Sequence, residues 1–242
     1  MSGHSKWSTI KRAKGALDAK RGKVFSKLAR EVMVVAKNGG ADPNMNASLR
    51  MIILKCKAAN MPAGNIERAI QKGAGGGEGG DLLEQTYEIY APNGIAVLAK
   101  VTTDSKNRTA SELRHIMSKH NASLASTGSV SRLFHRKGQF MVARDQAEED
   151  SLMEMALEAG AEDIIGSDDG FEILTDPENF EAVHKILEEN GIAEESAEIT
   201  SLPELSVPLE EEDAVNAINS FIDALEDHDD INDVYHNAEF PE

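Results

Sequence analysis

The order of strand-like and helix-like segments between residues 139 and 201 constrains the fold more than any other feature of this sequence. Strands alternate apolar and polar residues, whereas amphipathic helices repeat apolar residues every three or four positions. In chain order the segments are strand, helix, strand, strand, helix and strand, at 139–143, 147–159, 163–166, 171–175, 176–191 and 197–201. Asp176 and Pro177 have the residue types of an N-cap and a first-turn proline for the second helix. This order predicts a ferredoxin-like domain.

Shorter α+β segments flank this domain on both sides. The upstream segments predict strand, strand, helix and strand, at 86–90, 95–103, 109–120 and 128–136. Asn93-Gly94 lies between the first two strands, where this dipeptide favours a hairpin. Downstream, an acidic helix near 211–226 and a strand near 231–236 are too short to stand alone. We therefore expect them to complete the upstream sheet, so that the ferredoxin-like domain is inserted into a second α+β domain.

The first 75 residues predict helices only. Asn38-Gly39-Gly40 ends a first helix, and Pro62 separates a second helix from a third. The sequence thus predicts a multidomain α+β protein with a basic all-helical domain at 1–75, a glycine-rich linker at 76–82, an α+β domain at 83–137 plus 205–242, and the inserted ferredoxin-like domain at 138–204.

The glycine-rich stretch matches a nucleotide-binding pattern in spacing but not in context. Gly75, Gly77 and Gly80 satisfy G-x-G-x-x-G. A helix is predicted before this stretch and a strand after it, whereas phosphate binding requires a strand before and a helix after. A flexible linker or hinge is the interpretation that remains.

Charge is divided very unevenly along the chain. The formal net charge is −17 over 242 residues, yet residues 1–80 hold 15 basic and 5 acidic side chains. Residues 138–242 hold only 2 basic and 32 acidic side chains. A basic segment on an acidic protein indicates a polyanionic partner, and nucleic acid is the commonest one.

The basic segment predicts a first candidate nucleic-acid surface. Lys20, Lys23, Lys27 and Arg30 share one helix face, opposite an apolar face, and we expect that basic face to lie in water. Trp7 could stack on a base or anchor the segment in a core, and the residue type leaves both open. The alternative for the whole surface is a solvated lysine-rich helix. The candidate residues are Lys6, Trp7, Lys11, Arg12, Lys14, Lys20, Arg21, Lys23, Lys27 and Arg30.

A second candidate surface lies where a predicted strand leads into a helix. It consists of Lys106, Asn107, Arg108 and Arg114. A surface turn that caps the helix explains the same residues equally well.

Several motifs resemble one known family. Ser2-Gly3-His4-Ser5-Lys6-Trp7, Lys23-Val24-Phe25-Ser26-Lys27-Leu28, Asn65-Ile66-Glu67-Arg68-Ala69-Ile70 and Asn107-Arg108-Thr109 are similar to the YebC family. Those bacterial proteins are described as probable transcriptional regulators, and a mitochondrial relative activates translation of cytochrome c oxidase. The resemblance implies three domains arranged as above. It implies DNA as the partner or, as the alternative, a ribosome-associated translation factor that binds ribosomal RNA or tRNA.

Motifs for catalysis, metals and cofactors do not occur in this sequence. The seven histidines follow no known ligand spacing, and Cys56 has no evident base beside it. We therefore expect no enzyme activity, no catalytic residue, no metal and no cofactor. A single cysteine excludes an intrachain disulfide and favours the cytoplasm, and no apolar stretch is long enough for a membrane span. A different class of function is an interaction scaffold, in which the acidic domains bind a basic protein partner.

Overall fold

The computed structural model describes the backbone of residues 3–75 and 82–241, and the side chains of Trp7, 21–75 and 82–241. These residues form two compact units. One comprises 19–134 with 203–241, and the other comprises 135–202 with the chain up to Asp18. Residues 76–81 of the expected linker lie outside the described residues. The four domain boundaries expected from the sequence stay predictions.

The first helix is longer than the sequence pattern indicates. The helix α1 spans Gly3–Gly39, 37 residues in one piece, whereas the apolar periodicity predicts order only in its second half. Gly15 and Gly22 each cost about 1 kcal/mol relative to alanine in a helix, but they do not interrupt it. The helices α2, Ala47–Ala58, and α3, Ala63–Ala74, follow.

The three helices pack around one apolar cluster in the first unit. Leu28, Val32, Leu49, Cys56 and Ile66 are among its buried residues. Burial raises the pKa of Cys56 to about 11, so the thiol behaves as a small core residue.

Two polar and backbone contacts fix the helix crossings. The Asn46 side chain accepts a hydrogen bond from Leu49 N and donates to the Val35 and Gly40 carbonyls, and so joins the start of α2 to the end of α1. At Gly73 a Cβ would lie 2.3 Å from the Met33 carbonyl oxygen, so α3 can approach α1 this closely only at glycine.

A four-stranded sheet completes the first unit. Its strands are β1 (Leu83–Tyr90), β2 (Ala96–Thr103), β3 (Ser123–Leu124) and, from the C-terminal part of the chain, β9 (Ile231–His236), in the order β3-β1-β2-β9. The helices α4 (Lys106–Lys119) and α7 (Glu212–Glu226) contribute Leu113, Phe221 and Leu225 to the core on this sheet. The predicted hairpin is present, with φ of 61° at Asn93 and 73° at Gly94. The C-terminal strand completes the upstream sheet as expected.

The predicted strand at 128–136 is wrong: residues 128–133 form no strand, and residues 134–136 begin a strand of the second unit's sheet. Residues 131–133 form a 3₁₀ turn, and the two-residue strand β3 pairs with β1 at the sheet edge. The Glu88 carboxylate accepts hydrogen bonds from the backbone N–H groups of Gly128, Val130 and Ser131 at 2.6–2.8 Å. These N–H groups therefore bind a carboxylate instead of a neighbouring strand. Burial by itself raises the pKa of Glu88, but these hydrogen bonds outweigh it and hold that pKa below 4.5.

The second unit has the ferredoxin-like topology that the sequence predicts. Its elements in chain order are β4 (Phe134–Ala143), α5 (Glu149–Glu158), β5 (Ala161–Gly166), β6 (Gly170–Thr175), α6 (Phe180–Glu189) and β7 (Glu194–Pro203). The strand order is β5-β6-β4-β7. The sequence is wrong about one cap: α6 begins at Phe180 after Asn179, because the Asp176 carboxylate accepts a hydrogen bond from Lys137 at 2.9 Å instead.

The two remaining strands, β8 (Val207–Pro208) and β10 (Ala238–Glu239), form a short parallel pair in the first unit. No helix in the described part of the chain has both the length and the apolar character that a membrane span requires.

Candidate nucleic-acid interface

The cationic face of α1 meets the C-terminal end of α7 within the first unit. Lys23 Nζ donates to the Asp227 carbonyl at 3.0 Å, and Lys27 Nζ donates to the Glu226 carbonyl at 2.5 Å. Arg30 donates to Asp230 Oδ1 at 2.9 Å. Our expectation that this face lies in water is therefore wrong for Lys27 and Arg30, which are half-buried.

The C-terminal end of α7 attracts these three cations because it is negatively charged. The last carbonyls of α7 have no partner within the helix, and the helix dipole places partial negative charge there. Acidic side chains at Glu226, Asp227, Asp229 and Asp230 add to that charge. Burial lowers the pKa of Lys27, and the neighbouring Glu226 only partly opposes this effect.

Asp230 joins the two candidate surfaces that the sequence predicts separately. Its Oδ1 accepts from Arg30, and its Oδ2 accepts from Arg108 at 2.8 Å and from the Thr109 hydroxyl at 2.7 Å. The backbone carbonyl of Asp230 also accepts from Thr102 N at 2.9 Å. Burial alone raises the pKa of Asp230, but the hydrogen bonds from Arg108 and Thr109 hold it below its ordinary value.

The four residues of the second candidate surface do not share one environment. The Arg108 guanidinium lies 2.9 Å from a carboxylate oxygen of Asp104 and 2.8 Å from one of Asp230. These contacts hold the start of α4 in place. Lys106, Asn107 and Arg114 are exposed on the outer side of α4. The capping interpretation therefore fits Arg108, and the binding interpretation stays a prediction for the other three.

Both surfaces border one cleft of about 580 Å³ in the first unit. Its lining residues are Arg30, Leu82, Asp104, Arg108, Glu112, Asp227, His228, Asp229 and Asp230. Acidic side chains outnumber the two arginines, and both arginines are already bound to carboxylates. This cleft does not present free positive charge to a phosphate group.

Glu112, His228 and Asp230 have potential metal-ligating atoms within 4.8 Å of one another. His228 Nδ1 accepts from the Asp230 N–H at 3.1 Å, and His228 Nε2 lies 2.9 Å from Glu112 Oε2. Two guanidinium groups adjoin Asp230, and they would repel a cation. The three residues fit a hydrogen-bonded cluster better than a metal site.

A half-buried ion cluster lies in the same unit. Lys55 Nζ is 3.0 Å from a Glu31 oxygen and 2.8 Å from Asp233 Oδ1. Burial would lower the pKa of Lys55, but Asp233 and Glu31 raise it, so the ammonium group stays charged. Lys55 is therefore a structural cation that joins α1, α2 and β9.

Trp7 anchors the N-terminal part of α1 in the second unit. Its side chain is 5% exposed. A Cβ at Gly170 would lie 2.7 Å from the ring atom Cζ2, so the indole occupies the space that a side chain would need. Of the two interpretations, the anchor fits and the ring cannot stack on a base in this arrangement. The side chains of Lys6, Lys11, Arg12, Lys14 and Lys20 lie outside the described residues.

Several cations of the helical segment remain exposed, among them Arg21, Lys57 and Lys72. Arg21, one of the candidates, lies with its guanidinium 5.8 Å from the Phe25 ring centroid. Lys57 on α2 and Lys72 on α3 are also exposed, and our sequence reasoning did not select them. The apolar period of α2 and α3 already places both lysines off the buried face, so the same helical analysis could have found them.

The fold defines the class: this is a multidomain α+β protein that combines basic helices, a four-stranded sheet and a ferredoxin-like unit in one chain. Residues 5–76 match the TACO1/YebC protein N-terminal domain, and residues 82–238 match the TACO1/YebC second and third domain. The chain belongs to the YebC family.

Relatives from distant bacteria match over nearly the whole length. A "Probable transcriptional regulatory protein" of Desulforamulus reducens is 52% identical over 241 residues, 99% of each chain. One from Borrelia hermsii is 51% identical over 239 residues, 99% of this chain and 98% of its own. A crystal structure described as the conserved hypothetical protein Aq1575 from Aquifex aeolicus is 45% identical, with a TM-score of 0.82 over 93% of each chain.

Proposed function

We propose that this protein regulates gene expression by binding nucleic acid through the outer face of its basic helical segment, without catalysing a reaction. The names of the relatives support regulation of transcription, and DNA is then the partner. We place its action in the cytoplasm.

The observation that carries the proposal is the excess of basic over acidic side chains in the helical segment, part of which stays exposed in the folded protein. Residues 21–75 hold ten basic and three acidic side chains. Arg21, Lys57 and Lys72 stay exposed after Lys23, Lys27, Arg30 and Lys55 have found partners within the protein. Exposed lysine and arginine bind phosphate groups whatever the base sequence.

The test is a triple variant, Arg21→Gln with Lys57→Gln and Lys72→Gln, measured by fluorescence anisotropy on labelled duplex DNA and on a labelled RNA hairpin. Each lost phosphate contact reduces the salt slope on B-DNA by about 0.9. We expect the slope to fall by about 2 to 3 and the affinity to fall at least tenfold.

The matched control removes three exposed cations elsewhere, by Lys119→Gln, Arg136→Gln and Lys185→Gln. It changes the net charge equally, and it should keep most of the parent's salt slope. Equal slopes for the parent and the first variant would refute a role for Arg21, Lys57 and Lys72. A parent that binds neither probe but captures a basic protein would favour the scaffold.

A second candidate is control of translation through ribosomal RNA. Both matching family models carry the name TACO1 beside YebC, and the resemblance implies a mitochondrial translational activator. Phosphate contacts do not distinguish duplex DNA from ribosomal RNA. Sucrose-gradient sedimentation of a lysate, with nuclease-treated controls, separates the two: movement with ribosomal subunits supports translation, and its absence supports transcription.

A further inference from the structure

The strongest unexplained feature is that the chain's own acidic segment occupies the basic face of α1. The segment Glu226–Asp230 supplies two carbonyl oxygens and one carboxylate oxygen to Lys23, Lys27 and Arg30, at distances of 2.5–3.0 Å. A second carboxylate, that of Asp229, lies 3.6 Å from Lys23 Nζ.

This segment offers α1 the same chemistry that a nucleic-acid backbone would. Phosphate groups present closely spaced, negatively charged oxygens, and lysine and arginine bind them by charge-assisted hydrogen bonds. The 226–230 segment presents helix-terminal carbonyls and carboxylates to the same three side chains. One lysine ammonium group cannot hold both partners fully, so the two must compete.

The outer part of the contact is exposed and the inner part is fixed. The side chains of Lys23 and Asp229 are 52% and 68% exposed, and an ion pair of that exposure is weak. Asp230 is 5% exposed and is held by Arg30, Arg108 and Thr109. The segment can therefore move away from Lys23 and Lys27 while Asp230 keeps it attached. Burial lowers the pKa of Lys27, so its charge is incompletely compensated by the present partners.

We infer that the 226–230 segment competes with a phosphate backbone for Lys23 and Lys27. Nucleic acid must displace this segment from the two lysines when it binds. The inference rests on the proposed function. It makes the affinity of the intact protein lower than its basic helices would give alone. It also favours partners with dense phosphate, such as a folded RNA or a duplex, over weakly charged ones.

The test neutralises the exposed acids of the segment and leaves Asp230 in place. The release variant carries Glu226→Gln, Asp227→Asn and Asp229→Asn. The control variant carries Glu154→Gln, Glu158→Gln and Glu188→Gln, three exposed acids of the second unit, and it has the same net charge. Anisotropy at fixed salt measures the binding of both variants and the parent to a 24-base-pair duplex DNA and to an RNA hairpin.

We expect the release variant to bind about tenfold more tightly than the parent, because it removes three exposed negative charges beside Lys23 and Lys27, and the control to change by less than about threefold. Equal gains in both variants would mean that only net charge matters, and they would overturn the competition while the proposed function stands. If no protein bound either probe, the proposed function and the competition would both be overturned.

Amide hydrogen exchange of the unmutated parent is a second, independent test of the competition. Saturating duplex or RNA should make the amides of residues 224–229 exchange several-fold faster, because the segment leaves Lys23 and Lys27. Amides of α5 in the second unit should not change. Binding without faster exchange at 224–229 would overturn the competition even if the release variant folded poorly.

Discussion

The two units of this protein handle charge in opposite ways. The unit of residues 19–134 and 203–241 holds 17 basic and 21 acidic side chains, and its basic and acidic groups meet across long sequence separations, as at Arg30 and Asp230. Residues 135–202 hold 4 basic and 19 acidic side chains, so most of their acids have no cation available within that stretch. The comparison teaches that a charge excess in a sequence segment does not give the charge exposed after folding.

The largest expected effect is at Asp230, a buried carboxylate that three donor side chains share. Asp230→Ala leaves Arg30, Arg108 and Thr109 without their shared acceptor. Each hydrogen bond to a charged group contributes about 1.5–3 kcal/mol, and the arginines, whose side chains are 25% and 45% exposed, regain part of that from water, so we expect a loss of about 3 kcal/mol. Urea unfolding followed by circular dichroism measures the loss. Asp229→Asn, at the exposed neighbour, should change stability by less than about 0.5 kcal/mol. Similar effects at both positions would contradict the distinction between fixed and exposed contacts.

Next in size is Gly170, in the acidic second unit. Gly170→Ala places a Cβ 2.2 Å from the Val142 carbonyl oxygen and 2.7 Å from Trp7, and such overpacking costs about 1–3 kcal/mol. Trp7 is the only tryptophan, so its fluorescence emission should shift to longer wavelength as the ring becomes exposed. Gly166→Ala is the control, because its Cβ would meet no atom closer than 3.4 Å. An unshifted emission in the first variant would refute the anchor.

The pH dependence of the first unit should be set partly by Glu88 and Asp230. The folded-state pKa of each is below its ordinary value, 4.5 and 3.8 respectively. Each carboxylate therefore stabilises the fold above its ordinary pKa, and that contribution is lost as the pH falls through the folded-state pKa. Stability should be level above about pH 5 and should fall as the pH drops below 4.5.

Glu88→Gln tests that assignment. The amide cannot accept the hydrogen bonds of Gly128, Val130 and Ser131 as the carboxylate does, so stability at pH 7 should drop by about 1–2 kcal/mol. The fall between pH 5 and 3 should become shallower, as measured by urea unfolding at each pH. A slope unchanged from the parent would assign the acid loss to other groups.

The smallest expected effect concerns the acids at the two ends of α5 in the second unit. Glu158→Lys creates an i, i+4 pair with Glu154 in the last turn of α5, where a cation also suits the helix dipole. We expect a gain of about 0.3–0.5 kcal/mol in thermal unfolding at low salt. Glu149→Lys, in the first turn of the same helix, also loses the ion pair with Arg144, so it should lower the stability. An equal gain there would contradict the helix-end argument.

The sequence by itself determined most of the fold. The order strand, helix, strand, strand, helix, strand indicated the ferredoxin-like unit, and the apolar faces of α4 and α7 indicated the helices that cover the first sheet. These patterns are local: a period of two or of 3.6 states which side of an element is buried. The local pattern could not predict the conformation of residues 128–133, because backbone N–H groups in that stretch donate to the carboxylate of Glu88, which is distant in sequence.

Only the tertiary structure decided the state of the candidate site. The sequence identified Lys23, Lys27, Arg30 and Arg108 as cations on helix surfaces, and it could not indicate that residues 226–230 lie against them. The physical reason is sequence separation: Arg30 and Asp230 are 200 residues apart and meet because β9 pairs with β2. Periodicity tells which face of a helix is polar, whereas chain topology decides whether water, a phosphate group or the protein's own acids meet that face.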